Sequence, residues 1–173
     1  MQTKQGQQGF SLIELLIVVA IIGIIAAIAI PNLLASRRSA NEGSALSSMR
    51  VISSAEAQYQ ATAGAGQYGT LANLLAQGMV DSVLGGATAV ASAKSGYVFA
   101  AGPVAAATVP AYDATASPAV HTNTSSITGT GTRIFATNES GVMYIQTTPT
   151  TNTTAPVFDA TTRAVTGGAV LNN

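Results

Sequence analysis

The 173 residues carry seven basic and seven acidic side chains, and with only 8% of positions charged the chain offers no basic field for nucleic acid. Cysteine is absent, which excludes disulfides, thiol chemistry and cysteine-ligated metal. The length fits one small core, and an aromatic content of 5% with a second half crowded by Ala, Gly, Ser and Thr predicts a thin core and long surface loops.

Residues 1–9, Met1-Gln2-Thr3-Lys4-Gln5-Gly6-Gln7-Gln8-Gly9, are polar with one positive side chain and read as a short leader ending at Gly9. From Phe10 to Ile30 the only non-hydrophobic side chains are Ser11 and Glu14, and Gly23 is the one other break. As a helix this stretch is about 31 Å long, the thickness of a bilayer's hydrocarbon layer, so it can span a membrane once. A conventional secretory signal is the rival, with small residues at Ala26-Ala27-Ile28-Ala29, but the run is longer than a signal core and contains an acid. Charge does not set the orientation, because Lys4 on one side faces Arg37 and Arg38 on the other.

Pro31 removes a backbone donor and crowds the carbonyl four residues back, so a kink or local opening is expected there. Beyond it Ala45, Met49, Ile52, Ala55 and Tyr59 recur at spacings of three and four, with Arg38, Glu42, Arg50 and Gln58 placed mostly on other faces. Gly64-Ala65-Gly66 is a stop, so one helix is expected from about residue 10 to about residue 62, its amphipathic part covering 31–62. The GxGxxG spelled by Gly64-Ala65-Gly66-Gln67-Tyr68-Gly69 follows a helix rather than a strand and reads as a loop, not a dinucleotide site.

Thr70–Leu75 looks like a short capped helix and Asp81–Leu84 like another turn, closed by Gly85-Gly86. Strand candidates follow at Tyr97–Ala100, near Tyr112, and at Thr132–Thr137 and Val142–Thr147, the last two joined through Asn138-Glu139-Ser140-Gly141. Helix first and antiparallel strands afterwards, without βαβ alternation, give an α+β class in which the sheet of residues 63–173 packs on the amphipathic half of the helix. The Thr/Asn-rich tail, 148–173, lies on the sheet or adds an edge strand near Val157-Phe158. Asp81, Asp113, Glu139 and Asp159 are scattered, His121 has no partner for a metal, and the Asn123, Asn138 and Asn152 triplets fit a glycosylation pattern that is common by chance. Tyr59, Tyr68, Tyr97, Phe99, Phe135 and Tyr144 belong to the head core or an interface.

The informative stretch is Gly9-Phe10-Ser11-Leu12-Ile13-Glu14-Leu15. An ionised residue deep in a spanning helix costs roughly 2.5 to 3.5 kcal/mol, so Glu14 needs a use. Cleavage after Gly9 would create a cation in the same apolar layer, the new α-amino group of Phe10.

On these residues the chain resembles the type IV pilins and the related pseudopilins of type II secretion, over residues 6 to about 40. The resemblance implies that Gly9 is the last leader residue before the prepilin peptidase cut, that Phe10 is the N-methylated mature residue, and that Glu14 is the assembly glutamate. It also implies that Gly23 and Pro31 are the helix-weakening positions, and that the leader faces inward with the head outward. Many larger pilins close their C-terminal region with a disulfide; here hydrogen bonding and packing must pin the tail.

The resulting expectation is a non-enzymatic prepilin without cofactor or metal, resident in the bacterial inner membrane and then in a homo-oligomeric helical filament outside the cell. Its partners would be the lipid bilayer before assembly, prepilin peptidase and the assembly machinery, with adhesion, motility or DNA uptake as properties of the filament. A pseudopilin with a periplasmic filament is the alternative, and a single-span anchor carrying a binding or enzymatic head is a third reading.

Overall fold

The computed structural model describes residues 10–105, 107–120, 129–147, 157–159 and 162–171. Gly9 with the rest of the leader, His121, and the Asn123 and Asn152 triplets lie outside the described residues. The chain divides into two compact units between Ala35 and Ser36, within the helix α1, Leu12–Ala61.

In the first unit α1 is helical through Gly23 and Pro31. Its sequence is apolar on all sides, and every Phe, Leu, Ile and Val side chain from Phe10 to Leu33 keeps half or more of its surface exposed. That is far more contiguous apolar surface than a soluble monomer tolerates. α1 is long and apolar enough to cross a membrane.

In the second unit α1 turns one face inward: Glu42, Ala45, Ser48, Met49, Ile52, Ala55 and Glu56 are buried. Met49 and Ile52 are fully covered, and each such side chain contributes about 1.5–3 kcal/mol by leaving water. The spacing of three and four therefore marks the packed face as expected, with one correction. Glu42 belongs to that face, because it sits one turn before Ala45 and spends its carboxylate on the sheet: Thr132 donates to Oε1 through its amide (2.8 Å) and hydroxyl (2.7 Å), and Arg133 Nε lies 3.1 Å from Oε2. The helix ends at Ala61, and the turn that follows closes with Ala65 and Gly66 at positive φ, 48° and 90°.

Two short helices follow. α2, Leu71–Ala76, starts with a reciprocal cap between Thr70 and Asn73, and α3, Ser82–Gly86, with Asp81 accepting from the Leu84 amide at 2.8 Å. Leu71, Leu74 and Leu84 enter the core they share with α1.

The main sheet holds β1 (Tyr97–Pro103), β2 (Tyr112–Pro118), β3 (Arg133–Asn138), β4 (Met143–Thr147) and β7 (Ala169–Val170), in the order β1-β2-β3-β4-β7 and antiparallel throughout. Ala116 stands opposite Phe99 on one side and Phe135 on the other, so a small residue alternates with two rings across the core face. The β3–β4 turn uses Gly141 at φ 72°. Gly131 enters β3 against the Tyr97 hydroxyl, where a Cβ would collide.

The tail departs from expectation. Val157–Phe158 (β5) pairs with Val165–Thr166 (β6) in a separate two-stranded sheet, and the fifth strand of the main sheet is Ala169–Val170. Two-residue strands carry too little periodicity to be told apart in Thr-rich sequence.

Candidate functional site

The N-terminal end of α1 holds two of the expected site residues. Phe10 is 89% exposed, and Glu14 is exposed one turn into the helix. Glu14 Oε2 accepts from the Ser11 amide at 2.8 Å. Ser11-Leu12-Ile13-Glu14 is thus half of a capping box, a signal the spacing of Ser11 and Glu14 already carries. The cap satisfies one orphan amide and leaves the charge uncompensated: Glu14 has no ion-pair partner among the described residues.

Gly23 has nothing within 4 Å of the place a Cβ would occupy. At Pro31 the missing amide would leave the carbonyl of Ala27 without its helical donor. One residue on, the Asn32 side-chain amide donates to the Ile28 carbonyl at 3.0 Å, a local bond that supports the turn beside the proline.

The other concentration of polar chemistry is in the tail. Arg163, at φ 56°, donates through Nε to Glu139 (2.7 Å) and through Nη2 to Glu139 (2.8 Å), to Asp113 and to the Tyr112 carbonyl (3.0 Å). Its guanidinium also lies 5.5 Å from the centre of the Phe158 ring, which meets Tyr144 edge-on. Asp113 and Glu139, scattered in sequence, are therefore brought together on one cation instead of forming a paired-acid site. Burial pushes Glu139 up, but hydrogen bonds and charge from Arg163 outweigh it and hold the carboxyl below its ordinary value. Burial wins at Asp113, whose carboxyl stays above its ordinary value despite the same guanidinium. Arg163 was missed because its signal, the last basic residue in a stretch with only Asp159 for charged company, names no partner.

Glu56 is also fully buried. Its Oε2 accepts from the Gly69 amide at 2.9 Å, and Oε1 has no partner. Burial raises its pKa above the ordinary carboxyl value, against the lowering effect of that amide. A folded-state pKa above the unfolded one gives stability that is complete below the unfolded value and is lost as pH rises through the folded value. Glu56→Gln is accordingly expected to stabilise the head by about 1 kcal/mol at neutral pH and by little in acid, read from denaturation of the full chain in detergent across pH.

Comparison with known proteins bears on the N-terminal site. A family model described as the prokaryotic N-terminal methylation motif matches residues 4–30. The type IV wide pilus major component PilA4 of Thermus thermophilus is 69% identical over 35 residues, which cover 20% of this chain and 27% of that protein. The chain therefore matches about a quarter of that relative's length, and no solved structure matches it significantly.

Proposed function

We propose that this chain, which matches the methylation motif over residues 4–30 and a pilus component over 35 residues, is a type IV pilin: a structural subunit of a pilus filament, made as a prepilin and drawn from the inner membrane after cleavage between Gly9 and Phe10. The observation that carries this reading is the stem: an apolar surface exposed on every side, with one acid in its first turn that, among the described residues, is bonded only to its own backbone. Lipid covers that surface first and neighbouring stems cover it afterwards. Phe10 becomes the methylated N-terminus, its amine pairs with Glu14 of an adjoining subunit, and Gly23 and Pro31 are the positions at which the helix yields during packing. The head forms the outer surface, with adhesion, motility or DNA uptake as properties of the polymer. The pilus is preferred to a secretion pseudopilus because the matching relative is described as a pilus component.

Mass spectrometry of the protein recovered from sheared filaments tests this directly. The expected N-terminus is methylated Phe10; a chain still beginning at Met1, or one cut near Ala29, would overturn the reading.

A further inference from the structure

Pairing of charges within the chain singles out three arginines. Of the basic residues described, Lys94 is paired with Asp81, Arg133 with Glu42, and Arg163 with Asp113 and Glu139. Arg37, Arg38 and Arg50, all on α1, have no hydrogen-bond or ion-pair partner among the described residues. Arg37 and Arg38 are the first charged side chains after Glu14, and the uncharged helix between Glu14 and them, Leu15 to Ser36, is about 33 Å long. That interval is close to the hydrocarbon thickness of a bilayer, so with Glu14 at one boundary the two arginines fall in the opposite headgroup layer. Arg50 lies about 18 Å further along the helix, beyond that layer.

Direction decides what meets them. Consecutive residues on a helix point about 100° apart, so the two side chains diverge: Arg37 is exposed, and Arg38, one turn before Glu42, is half-buried. A protein partner docks on one side, whereas lipid headgroups surround the helix, as the all-round apolar surface before them requires. Arginine suits the position: its aliphatic stem lies along apolar surface while the planar fork grips phosphate oxygens in pairs.

We propose that Arg37 and Arg38 form a phospholipid-phosphate site that fixes the depth of the helix in the bilayer before assembly. This rests on the membrane-resident reading above. Each arginine at an anionic surface favours that depth by about fivefold. The site also holds the subunit back from leaving the membrane until contacts in the filament replace the phosphates.

The full chain, labelled at arginine Cζ, would be reconstituted in vesicles of phosphatidylcholine and phosphatidylglycerol and examined by carbon–phosphorus dipolar dephasing in solid-state NMR. Dephasing is expected in the native chain and in Arg50→Gln, and is expected to vanish in the double variant Arg37→Gln/Arg38→Gln. With no native cysteine, a Ser39→Cys background reports depth: loss of both arginines should slow its alkylation by a water-soluble maleimide several-fold. A chain that floats with the vesicles but shows no dephasing, shows arginine–carboxylate contacts between copies instead, or dephases equally in the double variant overturns this site alone. A chain that fails to float with them overturns the membrane reading as well.

Discussion

Arg163→Ala is expected to lower the stability of the head by about 2 to 4 kcal/mol and to free the tail first, seen as faster amide exchange over residues 157–171 than over β1–β3. The side chain joins elements far apart in sequence, reaching Asp113 and Tyr112 on β2, Glu139 after β3 and the ring of Phe158 on β5. Its removal leaves two carboxylates facing each other without a cation. The figure sits about 1 kcal/mol below what breaking a fully buried pair costs, because Glu139 and Asp113 keep 25% and 33% of their side-chain surface in water. Arg163→Lys should recover only part of the loss, since a single ammonium cannot reproduce the two parallel bonds to Glu139. A chain without cysteine has no covalent closure to fall back on. Unchanged tail exchange in Arg163→Ala would show that the strand pairs β4–β7 and β5–β6 suffice.

The helix was legible in the sequence to within two residues at each end, because both its parts carry strong signals: a long, almost wholly apolar run, then a stripe at three and four. The hairpin β3–β4 was legible because Asn138 to Gly141 specify its turn. The tail was not. Strands of two residues have no measurable alternation, and what holds β5 in place is an ion cluster whose members come from three distant places. Glu42 shows the opposite: its charge points the side chain outward, while its position on the helix places it against Thr132 and Arg133. At the N-terminus the motif singles out Phe10 and Glu14, and the fold adds a local bond from Ser11 to Glu14.

That local bond shapes the decisive experiment on Glu14. Two roles compete for this side chain, a cap for the first turn and a charge for a neighbouring amine, and alanine removes both. Glutamine removes only the charge, because its amide oxygen can still accept from Ser11. Insertion should proceed in either variant: each apolar side chain of the stem contributes about 1.5–3 kcal/mol when fully covered, and Phe10 to Leu33 holds many of them against one acid costing roughly 2.5 to 3.5 kcal/mol. Assembly is a different balance. Moving a stem from lipid to a bundle of stems exchanges one apolar surrounding for another and yields little hydrophobic gain, so polar contacts and packing select the register. In the proposed filament the carboxylate and the Phe10 amine would form such a contact, which burial would make costly to leave half-made. Glu14→Gln and Glu14→Ala are therefore both expected to be inserted and processed normally while filament yield, measured by shearing and immunoblot against the membrane pool, falls by about tenfold or more. Wild-type yield from Glu14→Gln with loss only in Glu14→Ala would assign the residue to capping and remove the charge from the assembly step.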